Sequence, residues 1–150
     1  MYRNILVPHD GSELSDEAAD HAIALARSVN AKLTLMHVVA HRHLVLDEAT
    51  SSKLVHRLET DYEAAAKKAA EELLAKVAAR SKAGGVESAS VVVVADDPYK
   101  EIIKQVRALG CDLIVMASHG RRGLEGLLLG SETVKVLTHS RTPVLVVRHR

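Results

Sequence analysis

The residues best placed to do chemistry lie in one glycine-rich stretch, Met116-Ala117-Ser118-His119-Gly120-Arg121-Arg122-Gly123-Leu124-Glu125-Gly126-Leu127-Leu128-Leu129-Gly130-Ser131. The strand-like segment Asp112 to Met116 leads into it, and Gly130-Ser131 leads into a segment with helical spacing. Glycine lets backbone amides approach phosphate oxygens closely, and a helix start adds unpaired N–H groups and the positive end of a dipole. The chemistry this predicts is anion capture, with His119 facing the anion or solvated in its loop. Arg121 and Arg122 supply charge there or serve only solubility. A second group is Asp10, in Pro8-His9-Asp10-Gly11-Ser12 at the end of an apolar run. Read alone, its carboxylate is equally a site residue and a turn residue capping the helix that follows.

Other chemistries fail on spacing. A Walker loop ends in Gly-Lys-Ser or Gly-Lys-Thr, and no lysine precedes Ser131. A dinucleotide fingerprint places several glycines between the first strand and first helix, where only Gly11 stands. Neither Ser12 nor Ser131 sits in the Gly-x-Ser-x-Gly elbow of hydrolases. His37, His41 and His43 fall close together, but no carboxylate or cysteine completes a compact ligand set in sequence, so loop and strand-end roles are favoured over zinc. Cys111, the single cysteine, precedes an apolar strand with no basic partner nearby and reads as a small packed residue.

These residues need a frame, and the hydrophobic periodicity supplies one. Ile5-Leu6-Val7 reads as a buried strand. Leu14, Ala18, Ala22, Leu25 and Val29 then recur at helical steps, from a cap at Ser12 or Ser15 to a stop at Asn30. Ala31 to Val39 is a second strand and His41 to Ser52 an irregular connection. Leu54, Leu58, Tyr62, Ala65, Ala69, Leu73 and Val77 mark a long amphipathic helix ending at Ala83-Gly84-Gly85. Val86 to Ala95, centred on four valines, has the β-branched composition of a buried parallel strand. Asp97 and Pro98 suit the cap and first position of a helix whose inner face is Ile102, Ile103, Val106 and Leu109, with Gly110 as its exit. Asp112 to Met116, Thr133 to His139 and Pro143 to Val147 complete the pattern as strand, helix and strand. The alternation predicts an α/β fold, a doubly wound five-stranded parallel sheet with helices on both faces, as one domain over residues 1–150.

Composition narrows the function. At 150 residues the chain has the size of one domain. Its 20 Lys and Arg against 19 Asp and Glu give a formal charge of +1, with no global field to gather nucleic acid or an anionic membrane. No apolar stretch reaches the roughly 20 residues that span a bilayer. A single cysteine and an N-terminus without a signal-like apolar core predict a cytoplasmic protein.

The motifs resemble the universal stress protein family of the ATP-binding type. That family carries Gly, two residues, Gly, nine residues, then Gly-Ser or Gly-Thr. Here Gly120, Gly130 and Ser131 keep the last elements, and Ala117 replaces the first glycine. The opening Asn4 to Ser12, the strand ending Leu35-Met36-His37-Val38, the Asp97-Pro98 turn and the closing Thr142 to Arg148 are similar to the family too. The resemblance implies a Rossmann-like sheet of the adenine nucleotide alpha hydrolase-like kind, holding ATP, ADP or AMP with magnesium. It places Asp10 near ribose and phosphate, Val38 beside adenine, Ala117 near the sugar, and Gly120, Gly130 and Ser131 at the phosphates. Pro8, Met116, His119, Arg121 and Glu132 complete the expected site. Ala117 fits there only with a negative φ, and the Glu132 carboxylate only if it turns away from phosphate or faces a metal. The resemblance also implies a homodimer through the last strand, Val144 to Val147. The expected role is a nucleotide-dependent regulatory or interaction module in the stress response. A slow ATPase and an interaction protein of the same fold without nucleotide are the alternatives.

Overall fold

The computed structural model describes residues 1–43, 51–120 and 128–148. Strands and helices alternate: β1 (Asn4–Pro8), α1 (Glu13–Val29), β2 (Lys32–Val39), α2 (Ser52–Ala83), β3 (Ser88–Val94), α3 (Pro98–Ala108), β4 (Leu113–Ala117), α4 (Ser131–His139) and β5 (Val144–Val147). The strands form one parallel sheet in the order β3-β2-β1-β4-β5. Chain order reverses between β1 and β4, so the crevice outside their carboxyl ends is where such sheets take ligands.

Strand alternation divides the core in two. Ile5, Val7, Leu33, Leu35, Leu113 and Val115 face α1 and the end of α2, packing on Ala18, Ala22, Leu74 and Val77. Leu6, Met36, Ile114 and Met116 face the other way, onto Ile102 and Val106 of α3 and Val136 of α4. Helix α1 starts where the Ser12 side chain accepts the Ser15 amide, and it stops at Asn30, which adopts the left-handed conformation at φ 55°. Asparagine tolerates that region better than most residues because its short amide bonds locally.

Three expectations need correction. The apolar stripe on α2 does not run the length of the helix: Ala70, Leu74, Val77 and Ser81 are buried, whereas Leu54, Leu58 and Tyr62 are 48%, 43% and 41% exposed. A helix of 32 residues is about 48 Å long, and strands of seven or eight residues span only about 26 Å. The N-terminal half of α2 therefore has too little sheet beneath it. Strand β3 is an edge strand, and its valines are half-buried rather than enclosed on both faces. Asp97 occupies the N-cap of α3 but makes no side-chain capping bond; it pairs with Lys100 at 2.6 Å, and Leu109 at the other end is exposed.

Candidate functional site

A cavity of about 660 Å³ opens at the carboxyl ends of β1 and β4. Its walls come from the β1–α1 turn, β2, the start of α3, the end of β4 and the approach to α4. Pro8, Asp10, Val38, Met116, Ala117, His119, Gly120, Gly130, Ser131 and Glu132 all line it. Arg121, like Arg122, lies outside the described residues.

The apolar part of the wall is continuous with the core. Met36, Ile102 and Met116 belong to one packed cluster with Val38 against it, and Pro98 joins them at the cavity. Sequence reasoning missed Met36, Pro98 and Ile102. Met36 was within reach, because it stands two residues before Val38 on the same strand and so on the same face. Pro98 and Ile102 arrive only when α3 folds back over the sheet. Thr133, also missed, pins α4 to the strand below it, its hydroxyl donating to the Ala117 carbonyl at 3.0 Å.

The polar part is built from close backbone approaches. A side chain at Gly120 would collide with the Asp10 carboxylate, so the absence of a Cβ is what lets the β4 end and the β1–α1 turn meet. A Cβ on Gly130 would stand 3.0 Å from the Cα of His119 and 3.4 Å from the Ser118 carbonyl. The Gly130 amide donates to that same carbonyl at 2.8 Å and is already engaged. Gly130 is the N-cap of α4 and provides no side-chain cap. Helix geometry then leaves the amides of Ser131, Glu132 and Thr133 without intrahelical acceptors, at the positive end of the α4 dipole.

Glu132 does not aim its charge at the cavity as a free carboxylate. Its Oε2 accepts the Tyr99 amide at 2.9 Å and its Oε1 accepts the Lys135 ammonium at 2.8 Å. Glu132 thereby supplies the α3 cap that Asp97 withholds. Ala117 meets its condition as well: among the described residues Asn30 is the one non-glycine with positive φ, so Ala117 keeps ordinary strand geometry.

Asp10 is held by the turn that follows it, its Oδ1 accepting the Ser12 amide and the Ser15 hydroxyl, each at 2.9 Å. Behind it lies His9, a wall residue that the sequence did not single out. Its side chain is fully buried, with Nε2 3.2 Å from Asp16 and Nδ1 accepting the Gly11 amide at 3.1 Å. Burial pushes the imidazole below its ordinary pKa, outweighing the pull of Asp16 in the other direction. Asp16 in turn accepts the Arg80 guanidinium at 2.7 Å. Burial acts upward on the Asp16 carboxyl, but the bonds from Arg80 and His9 hold it below the usual range.

The three neighbouring histidines have separate partners. His37 donates to the His9 carbonyl at 2.7 Å, His41 pairs with Glu63, and His43 stands 3.5 Å from Asp96. Among the described residues no group of three metal-ligating side chains converges. Cys111 is buried, and burial raises its thiol pKa above the ordinary value.

The universal stress protein family model matches residues 1–148. The chain belongs to the universal stress protein family. Among its relatives, the universal stress protein MJ0577 of Methanocaldococcus jannaschii is 31% identical, over 100% of this chain and 97% of the relative. Universal stress protein YxiE of Bacillus subtilis is 32% identical, over 99% of this chain and all of the relative. The solved structure of MJ0577 superimposes with a TM-score of 0.86, covering 100% of this chain and 98% of that one. A universal stress protein crystallised in complex with cAMP superimposes with a TM-score of 0.71 at 25% identity, covering 98% of this chain and 97% of that one. The five-stranded α/β architecture of this universal stress protein is thus shared with solved members of its family.

Proposed function

We propose that this universal stress protein binds an adenine nucleotide in the cavity at the β1–β4 switch point and works as a nucleotide-dependent regulatory module. The observation that carries the reading is an apolar slot of Met36, Val38, Pro98, Ile102 and Met116 beside a helix start with uncapped amides. A base suits the slot and phosphates suit the amides. Asp10 is placed to accept from ribose hydroxyls, and His119, Gly120, Gly130 and Ser131 surround the phosphates. The related protein that holds cAMP supports the choice of ligand class. Magnesium enters as the counter-ion of the nucleotide phosphates, since Glu132 is occupied by Tyr99 and Lys135.

Calorimetric titration with ATP, ADP, AMP and cAMP, with and without magnesium, tests the proposal. Saturable binding of adenine nucleotides in preference to guanine nucleotides is the expected result. No binding of any of them overturns it and leaves an interaction protein of the same fold. Release of phosphate at saturating ATP and magnesium would add an ATPase to the reading. Asp10 and His119 are the wall residues on which such a reaction would have to rely to orient water.

A further inference from the structure

A chain of polar contacts runs from the surface of α2 into the cavity. At its outer end Arg80, about 40% exposed, bonds Asp16 at 2.7 Å and stands 3.3 Å from Asp20. Asp16 holds the buried His9 ring at 3.2 Å. The other ring nitrogen faces the Gly11 amide at 3.1 Å and the Ser15 hydroxyl at 3.3 Å. Ser15 and the Ser12 amide together hold Asp10. We propose that His9 is a positioning residue joining the Arg80–Asp16 pair to the Asp10 carboxylate, so that its ring must be neutral for Asp10 to face a nucleotide. The effect on affinity rests on the nucleotide reading above; the link from His9 to Asp10 does not.

The protonation state follows from the donors around the ring. The Gly11 N–H can only donate, so Nδ1 must accept, and Nε2 carries the proton that goes to Asp16. A second proton would have to sit on Nδ1, setting one donor against another. The Gly11 bond would break, in a turn where Gly11 already holds φ at 82°. The new N–H would then seek the oxygens nearest to it, the Ser15 hydroxyl and, beyond it, Asp10 Oδ1. That draws the carboxylate back from the cavity and from Gly120.

The charged groups around the ring come from three elements. Asp16 on α1 and Asp10 in the turn favour the imidazolium, while Arg80 on α2 opposes it. His37 on β2 touches the residue only at its backbone carbonyl. Burial is the largest influence and keeps the ring neutral at neutral pH. Because folded His9 titrates below its ordinary range, the change is expected on acidification and not on making the solution basic.

The experiment uses the full chain and two readouts. In the free protein, NMR follows the His9 ring together with the Gly11 and Ser12 amides as the pH is lowered from about 7.5 to about 5. The amides are expected to move with the midpoint of the ring. That midpoint should rise in Arg80→Met, which removes an opposing cation and leaves Asp16 to His9 alone. It should fall in Asp16→Asn, which removes the anion that supports the charged ring. In the second readout, affinity for cAMP is measured over the same range, because its phosphodiester keeps one charge throughout. Wild type is expected to lose about fivefold or more in affinity on acidification. His9→Asn, which presents an amide oxygen to Gly11 and does not titrate, should lose less affinity on acidification than wild type, whatever its affinity at neutral pH. Amides that ignore the ring titration, or a midpoint unmoved by both variants, overturn the link. A wild-type profile with the same pH dependence as that of His9→Asn overturns its effect on binding. If the amides follow the ring but no adenine nucleotide binds at any pH, the link stands and the nucleotide reading falls.

Discussion

Gly120 and Gly130 are both glycines of one segment, yet each makes room for a different neighbour. Gly120 admits the Asp10 carboxylate, whereas Gly130 admits the backbone of His119. A larger residue at Gly130 would therefore act by pushing the β4 end off α4. Gly130→Val is expected to weaken nucleotide binding by at least about tenfold, because misplaced phosphate contacts each forfeit more than 1 kcal/mol. Calorimetry with ATP checks this, and unchanged affinity would mean that phosphate sits elsewhere. Ala117→Gly behaves differently, since Ala117 already has strand dihedrals and nothing is gained by freeing them. Affinity is expected to stay constant while stability drops by about 0.5–1 kcal/mol, measured by urea denaturation. Gly120 and Gly130 were legible in the sequence because a glycine-rich turn at a strand end signals a close backbone approach, whereas Asp10 read equally as a turn residue and, like Ser131, was assigned to the cavity by the family resemblance. His9 was not legible. Its contacts depend on Asp16, seven residues on in the first turn of α1, and on Arg80 of a distant helix, and nothing in Pro8-His9-Asp10 distinguishes it from a solvated turn histidine.

At the scale of elements, α3 and α4 depend on each other through Glu132. The carboxylate of one helix's first turn receives the first free amide of the other, Tyr99, while Lys135 balances its charge. Glu132→Ala is expected to cost about 1 kcal/mol, the usual loss for a helix cap. It should leave nucleotide affinity equal or higher, since a negative charge beside the phosphates is gone. Glu132→Gln, which keeps an acceptor for Tyr99, should recover most of the stability. Denaturation curves and ATP titrations on the two variants check both halves, and a fall in affinity in both would show that the carboxylate itself serves the ligand. This cap was not readable from the chain, because Asp97-Pro98 already looks like a complete helix start. The same limit appears in α2. Periodicity identified the helix, but which turns are buried depends on how far the sheet extends beneath it.

At the scale of the whole molecule, β5 at the edge of the sheet bears on assembly. β5 pairs with β4 on one side only, and Leu145 is 42% exposed. Ile114 N–H donates to the Pro143 carbonyl and Ser118 N–H to the Val147 carbonyl. Alternation along the strand then turns the backbone groups of Val144 and Val146 outward, away from β4. A bare edge of this kind invites another strand, and we expect two copies to pair there about a two-fold axis. Val146→Pro removes an outward donor without touching the inward ladder. Light scattering is expected to report a dimer for the unmodified protein and a shift towards monomer for the variant. A wild-type monomer at micromolar concentration would dismiss the dimer.

The sequence by itself determined the order of elements, the parallel sheet and the segment where an anion is expected. These follow from local periods, turn residues and glycine positions, which act over a few residues and are written in the chain. The tertiary structure decided what lies across space: α3 as the lid of the apolar slot, Glu132 turned onto Tyr99, the exposed half of α2, and the path from Arg80 through His9 to Asp10. Such contacts join residues as far apart as Asp16 and Arg80. Their partners are chosen by packing, which no local pattern records.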